Sequence, residues 1–176
     1  MTNAQRKEAL RRRASLLPRA EAAHLLEQFA QLPQVISAET VMVFCGVGRE
    51  PDTAALIRTL LERGQRVALP VCLPGRRLEA RVITDESQLV AGKFGIPEPE
   101  YGCLIASHKE IGAILVPCIM ADREGYRLGF GGGYYDRFLV GYTGFTAMVC
   151  PRDRLVDALP REEFDIPVGL LITDEA

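Results

Sequence analysis

Four of the five residues from 129 to 133 are glycine, within the stretch Asp122-Arg123-Glu124-Gly125-Tyr126-Arg127-Leu128-Gly129-Phe130-Gly131-Gly132-Gly133-Tyr134-Tyr135-Asp136-Arg137. Residues without a Cβ let main-chain N–H groups approach a ligand closely. A chain that passes from them into a helix at Tyr134 presents unpaired N–H groups to an anion. Arg127 adds a planar cation suited to phosphate. Asp136 adds a hard oxygen ligand of the kind that holds Mg2+ while the ion keeps most of its waters and bridges to phosphates. No Gly-Lys-Ser/Thr follows, so this is not a Walker A loop, and Tyr134 breaks the GxGxxG pattern. Glycines alone fit a flexible turn with Tyr134 and Tyr135 packed inward. Arg127 ahead, Asp136 behind and an apolar strand leading in favour a site.

Other groups could join it. Lys7 and Arg11 stand four apart on one helix, so their charges share a face and repel, which a bound polyphosphate would relieve; an exposed basic surface is the plainer alternative. In Glu50-Pro51-Asp52-Thr53, either Asp52 or Thr53 serves as a helix N-cap. Glu50 is not needed for capping and is placed to accept N–H donors from a heterocycle. The segment Lys93-Phe94-Gly95-Ile96-Pro97-Glu98-Pro99 reads as a stiff loop that could wall a pocket. Five cysteines (Cys45, Cys72, Cys103, Cys118, Cys150) form no CxxC pair, and the odd count argues against a complete disulfide set. Cys45, Cys118 and Cys150 lie in apolar runs, where a free thiol behaves as a small hydrophobe. With His24 and His108 far apart, neither a zinc site nor a Cys–His pair is expected.

These groups need elements to position them. Leu10, Ala14 and Leu17, then Leu25, Phe29 and Leu32, recur at helical spacing and predict two helices over 4–32, with Pro18 at the first position of the second. Thr40 to Cys45 is a continuous apolar run, the pattern of a strand buried on both faces. Thr53 to Arg63 is helical and stops at Gly64. Strands are expected at Arg66–Val71, Leu78–Thr84, Ile111–Pro117, Gly144–Cys150 and Val168–Thr173, and a helix at Asp136–Val140. Strands alternating with helices predict one domain over 1–176, a three-layer α/β/α sandwich with a mostly parallel, Rossmann-like sheet. Ligands of such sheets bind at the carboxyl ends of the strands, here after Cys45 and after Val116.

Composition narrows the class. The chain has 176 residues, 48% hydrophobic and 25% charged, with a net charge of −2, which suits a globular domain with its own core. No apolar run reaches the roughly 20 residues of a membrane span, and the Arg-rich start lacks a secretory pattern, so the cytoplasm is expected. Residues 1–20 hold six basic residues against one acidic, while the remainder holds 15 basic and 22 acidic. Such a basic end could meet nucleic acid, a membrane or a small polyanion. Aromatics interleaved with Lys/Arg are lacking, which counts against nucleic acid.

The motif Asp122-x-x-Gly125-x-Arg127-Leu128-Gly129-x-Gly131-x-Gly133-Tyr134-Tyr135-Asp136-Arg137 resembles that of the 5-formyltetrahydrofolate cyclo-ligases, also called 5,10-methenyltetrahydrofolate synthetases. Lys7-x-x-Leu10-Arg11, Glu50-x-Asp52-Thr53, Leu69-Pro70, Phe94-Gly95-Ile96-x-Glu98-Pro99, Leu159-Pro160 and Asp165-Ile166-Pro167-Val168 support it in the same order. The resemblance implies ATP- and Mg2+-dependent conversion of 5-formyltetrahydrofolate to 5,10-methenyltetrahydrofolate with release of ADP and phosphate. It implies that ATP is held by Lys7, Arg11, Arg127, Leu128, Gly129, Phe130, Gly131, Gly132, Gly133, Tyr134 and Tyr135, with Lys7, Arg11 and Arg127 catalytic. Folate, polyglutamylated forms included, would meet Cys45, Glu50, Phe130, Gly131, Gly132, Gly133 and Tyr134. Asp136 would serve the metal. Where family members often carry a further Asp this chain has Gly169, leaving Asp165 or Asp174 to substitute. A monomer is expected. The alternative is a diverged relative that binds nucleotide without this activity.

Overall fold

In the computed structural model, which describes residues 1–174, the apolar runs alternate between two cores. Val41 and Val43, Val67 and Leu69, Ala113 and Leu115, and Ala147 and Val149 enter one cluster. The residues between them, Met42, Ala68, Ile114 and Met148, enter another on the opposite side. That period of two over continuous apolar sequence is what a sheet covered on both faces requires. The strands are β1 (Thr40–Met42), β2 (Arg66–Leu73), β3 (Arg77–Ile83), β4 (Leu89–Ala91), β5 (Pro97–Pro99), β6 (Ala113–Leu115), β7 (Met120–Ala121), β8 (Arg127–Leu128), β9 (Phe145–Val149) and β10 (Leu170–Ile172). The main sheet runs β10-β9-β6-β1-β2-β3. Its pairs are parallel except β2–β3.

The helices are α1 (Asn3–Ser15), α2 (Ala23–Gln31), α3 (Pro33–Ile36), α4 (Ala54–Glu62) and α5 (Tyr134–Phe138). Leu25, Leu26 and Phe29 of α2 and Leu56, Ile57 and Leu60 of α4 bury against one face of the sheet. Tyr135 and Phe138 of α5 pack with Leu139 on the other. The three-layer expectation therefore holds. α1 stands apart, with Leu10 and Ala14 packed on Met120, Leu128 and Leu159, over the small β7–β8 hairpin.

One expectation needs correction. Pro18 does not begin a helix: α2 starts at Ala23, because the connector before it is fastened by tertiary bonds. Arg49 Nε donates to Leu17 O at 2.8 Å, Arg154 donates to Pro18 O, and Ala20 N donates to Arg49 O at 2.9 Å. β3 is antiparallel to β2 because only Pro74, Gly75 and Arg76 separate them, too short for a parallel crossover. Thr53 is the N-cap of α4 but makes no side-chain cap; the Asp52 carboxylate accepts from Ala54 N at 3.0 Å. Thr53 is buried, its hydroxyl accepting from Gly46 N and donating to Phe44 O.

Candidate active site

A cavity of about 660 Å3 opens at the carboxyl ends of the parallel strands, where the topology places ligands. One wall is the turn after β1, with Val47, Arg49 and Glu50. Opposite stands α1, with Glu8, Arg11 and Arg12; Cys118, Ile119, Cys150 and Arg154 lie at the strand ends, and Phe130 and Ile96 complete the lining. Phe130 is 77% exposed, in the middle of the glycine loop. Ile96 comes from the 93–99 loop, which walls a pocket as its sequence indicated.

The glycine loop reaches this cavity through α1. Arg11 Nε donates to Gly129 O at 2.7 Å, joining the basic helix to the loop 118 residues away. Gly131 has φ +100°, which L side chains rarely adopt, and the Arg11 guanidinium lies 3.5 Å from where a Cβ would project. Gly133, at φ +69°, is the N-cap of α5 and makes no side-chain cap. The expectation that these glycines lead into a helix at Tyr134 is met.

Lys7 and Arg11 do not stand as bare repelling cations. Lys7 Nζ pairs with Asp165 Oδ2 at 3.0 Å, both side chains being mostly buried. Arg11 lies 3.7 Å from Glu8. Arg127 is likewise engaged: its side chain is only 7% exposed, with Nη2 at 2.9 Å from Asp136 Oδ1 and Nη1 donating to Ile166 O at 2.6 Å. Asp136 Oδ1 also accepts from Ile166 N at 3.0 Å. One oxygen of the expected metal ligand is thus committed to protein. Among the described residues no group of three or more His, Cys, Asp or Glu could hold a metal. Asp165 is bound to Lys7 and Glu162 N, and Asp174 to Arg152 N. Gly169 N donates to Thr146 Oγ1, and a Cβ there would come 3.3 Å from Thr146 O.

Glu50 faces the cavity from the β1–α4 turn, its Oε1 accepting weakly from Val47 N at 3.4 Å. Burial pushes its carboxyl up to about 7, against the pull of Val47 N–H and Arg19. Burial and then Glu50 push the Cys45 thiol up to about 11. Cys45 lines a second, smaller hollow of about 360 Å3 that shares Val47 with the first. Leu128 is buried in the α1 core and contributes backbone there. Tyr135 packs under the sheet, and its hydroxyl is buried without a hydrogen-bond partner among the described residues. Burial first, then the nearby Glu50, Cys72 and Cys45, push that phenol up, while Arg127 opposes them. A buried hydroxyl left without a partner carries a desolvation cost.

Sequence reasoning missed two contributors. Arg49 and Arg154 line the cavity while tying the α1–α2 connector to the strand ends. Their signal, isolated arginines in loops, is too common to single out. Asp122, which heads the motif, is fully buried. It accepts from Glu124 N, Tyr126 N, Leu159 N and Arg161 Nη2, so it shapes the hairpin beneath the loop.

Fold and site together define an α/β protein with a glycine-rich loop beside a cavity at its strand ends. A model of the 5-formyltetrahydrofolate cyclo-ligase family matches residues 2–174, and the chain belongs to that family. The 5-formyltetrahydrofolate cyclo-ligase of Mycolicibacterium smegmatis is 40% identical over 149 residues, covering 78% of this chain and 75% of that protein. The enzyme of that name from Escherichia coli K12 is 33% identical over 147 residues, 80% of this chain and 81% of its own. The NMR structure of Aquifex aeolicus 5,10-methenyltetrahydrofolate synthetase superposes with a TM-score of 0.81 at 27% identity, covering 100% of this chain and 91% of that one.

Proposed function

We propose that this chain converts 5-formyltetrahydrofolate to 5,10-methenyltetrahydrofolate in a reaction that consumes ATP, requires Mg2+ and releases ADP and phosphate. The observation that carries the reading is the Arg11–Gly129 bond, which sets the basic helix and the glycine loop on one cavity with Glu50 across it. Four arginines line that cavity against two glutamates, a surplus of positive charge that favours an anionic ligand.

ATP is held by Lys7, Arg11 and the stretch from Arg127 to Tyr135; folate lies against Glu50, Cys45 and Phe130 to Tyr134. The donor set fits Mg2+ held by Asp136 together with water and phosphate oxygens rather than by a protein cage. When bound, the ion offsets negative charge on the phosphates. The formyl oxygen on N5 is a weak nucleophile, so catalysis rests on alignment and charge neutralisation at the phosphoryl group. Arg11 and the loop N–H groups supply fixed positive partners. Once the oxygen carries phosphate it is a good leaving group, and N10 closes the ring on the activated carbon. Glu50 accepts N–H donors of the pterin and fixes its orientation. The test is ADP release by the purified protein with Mg2+ and ATP: it should require 5-formyltetrahydrofolate, and release independent of folate would contradict the reading.

A further inference from the structure

Two cysteines with no part in this reaction stand side by side in the cavity wall. β6 and β9 are parallel neighbours with Leu115 opposite Ala147, and the same register carried three residues on sets Cys118 opposite Cys150. Neighbouring strands lie about 4.8 Å apart, within the roughly 4.4–6.8 Å between Cα atoms that a disulfide spans. Both side chains lie on the face under α5, Cys150 inside that core and Cys118 packed against it. Cys118 Sγ lies 3.5 Å from the carbonyl oxygen of Val149, the residue before Cys150, and Cys150 Sγ lies 3.6 Å from Pro151 O. Both residues belong to the cavity wall. The other three thiols sit elsewhere: Cys45 in the smaller hollow, Cys103 in the opposite core, Cys72 exposed.

We propose that Cys118 and Cys150 are an oxidisable dithiol, and that a peroxide closes them to a disulfide that reshapes the cavity and expels its folate ligand. Cys118 is half-buried and takes the oxidant. Its thiolate attacks one peroxide oxygen, the O–O bond breaks, and hydrogen peroxide leaves one oxygen on sulfur as a sulfenic acid and the other as water. The sulfur of Cys150 then attacks that of Cys118; the S–O bond breaks and hydroxide departs with the Cys150 proton as a second water. Two thiols and one peroxide give one disulfide and two waters. The roles follow from position, because Cys150 is fully buried and Cys118 is not. Closure draws the sulfurs to about 2.05 Å. That pulls on Ile119, whose N–H donates to Leu128 O at 2.7 Å, one residue ahead of the glycine loop.

The coupling to ligand rests on the reading that the cavity holds folate, so the test separates the two. Purified protein is exposed to hydrogen peroxide, remaining thiols are alkylated, and tryptic peptides are mapped. The expected product joins residues 110–123 to 138–152, about two mass units lighter than the reduced pair. In equilibrium dialysis without ATP, retention of 5-formyltetrahydrofolate falls about tenfold after peroxide and returns with dithiothreitol. Cys118→Ser and Cys150→Ser, each compared with itself, lose less than about twofold; Cys72→Ser responds like the parent. Separate alkylation of both thiols after peroxide, or pairing with another cysteine, overturns the dithiol. A mapped disulfide with unchanged retention overturns its effect on the cavity. A parent that never retains 5-formyltetrahydrofolate sinks the functional reading instead, and the peptide map still decides the dithiol.

Discussion

Arg127 and Asp136 are bonded to each other and to opposite sides of one residue. The guanidinium meets Asp136 Oδ1 at 2.9 Å and donates to Ile166 O at 2.6 Å, while Asp136 Oδ1 accepts from Ile166 N at 3.0 Å. The two residues that flank the glycine loop in sequence therefore also fasten the 165–168 segment. Asp165 in that segment holds Lys7. Ion pairs thus link α1, β8, α5 and this segment into one frame around the loop.

Arg127→Ala should unfold more easily as well as turn over more slowly. Removing one partner of a mostly buried pair strands the other charge, a loss of about 3 kcal/mol where some exposure remains to Asp136. Thermal unfolding should fall by about 10 °C for a chain of this size. Arg127→Lys keeps the charge and should recover part of the stability, but not the two-pronged contact. A melting curve unchanged in Arg127→Ala would remove Arg127 from the frame.

Glu50 sets a pH dependence with a definite sign. Its folded carboxyl titrates near 7 and its unfolded one near the ordinary carboxylate value, so the folded state holds its proton longer. Stability from this group is full below the unfolded value and is lost as pH rises through about 7. The amount is about 3 kcal/mol between pH 4 and 8. Binding runs the other way: the carboxylate that accepts pterin N–H groups forms as pH rises, so KM for 5-formyltetrahydrofolate should fall across neutrality. Glu50→Gln should flatten both profiles, read as the difference between variant and parent in melting temperature and in KM. A Gln variant that keeps either slope would assign that slope to another group.

Tyr135→Phe should melt at the parent temperature or above it. Its hydroxyl is buried with no partner among the described residues, and deleting an unsatisfied polar atom removes a desolvation cost of about 1 kcal/mol. Ligand affinity should fall if, as proposed, Tyr135 belongs to the ATP-holding stretch and its hydroxyl donates to the bound molecule. Stability lost together with affinity would mean that the hydroxyl has a structural partner in the folded chain.

The sheet was legible from Thr40–Cys45, Arg66–Val71 and Ile111–Pro117 because strands buried on both faces must be apolar throughout. α4 and the Leu25/Phe29 stripe were legible because one face meets a core. β1 and β6 stop short of those runs, at Met42 and Leu115, whereas β2 runs on past Val71 to Leu73 because it pairs with β3 in a hairpin. The connector from Leu16 to Ala22 was misread because its shape comes from Arg49 and Arg154, distant residues that no local pattern announces. Part of the cavity could be read from residue type: Glu50 and Arg11 line it, and Arg11 bonds the first of the glycines. The pairing of Lys7 with Asp165 and of Arg127 with Asp136 could not, because ion pairs across 158 and 9 residues leave no periodic trace.

The central claim is that this cavity closes the folate ring with ATP. Purified protein with Mg2+, ATP and 5-formyltetrahydrofolate should show the near-ultraviolet absorbance of 5,10-methenyltetrahydrofolate rising, with one ADP released for each ring closed and no rise when ATP is left out. Nucleotide bound at the loop with no rise in absorbance would contradict the account and leave a nucleotide-binding protein that has lost the folate chemistry.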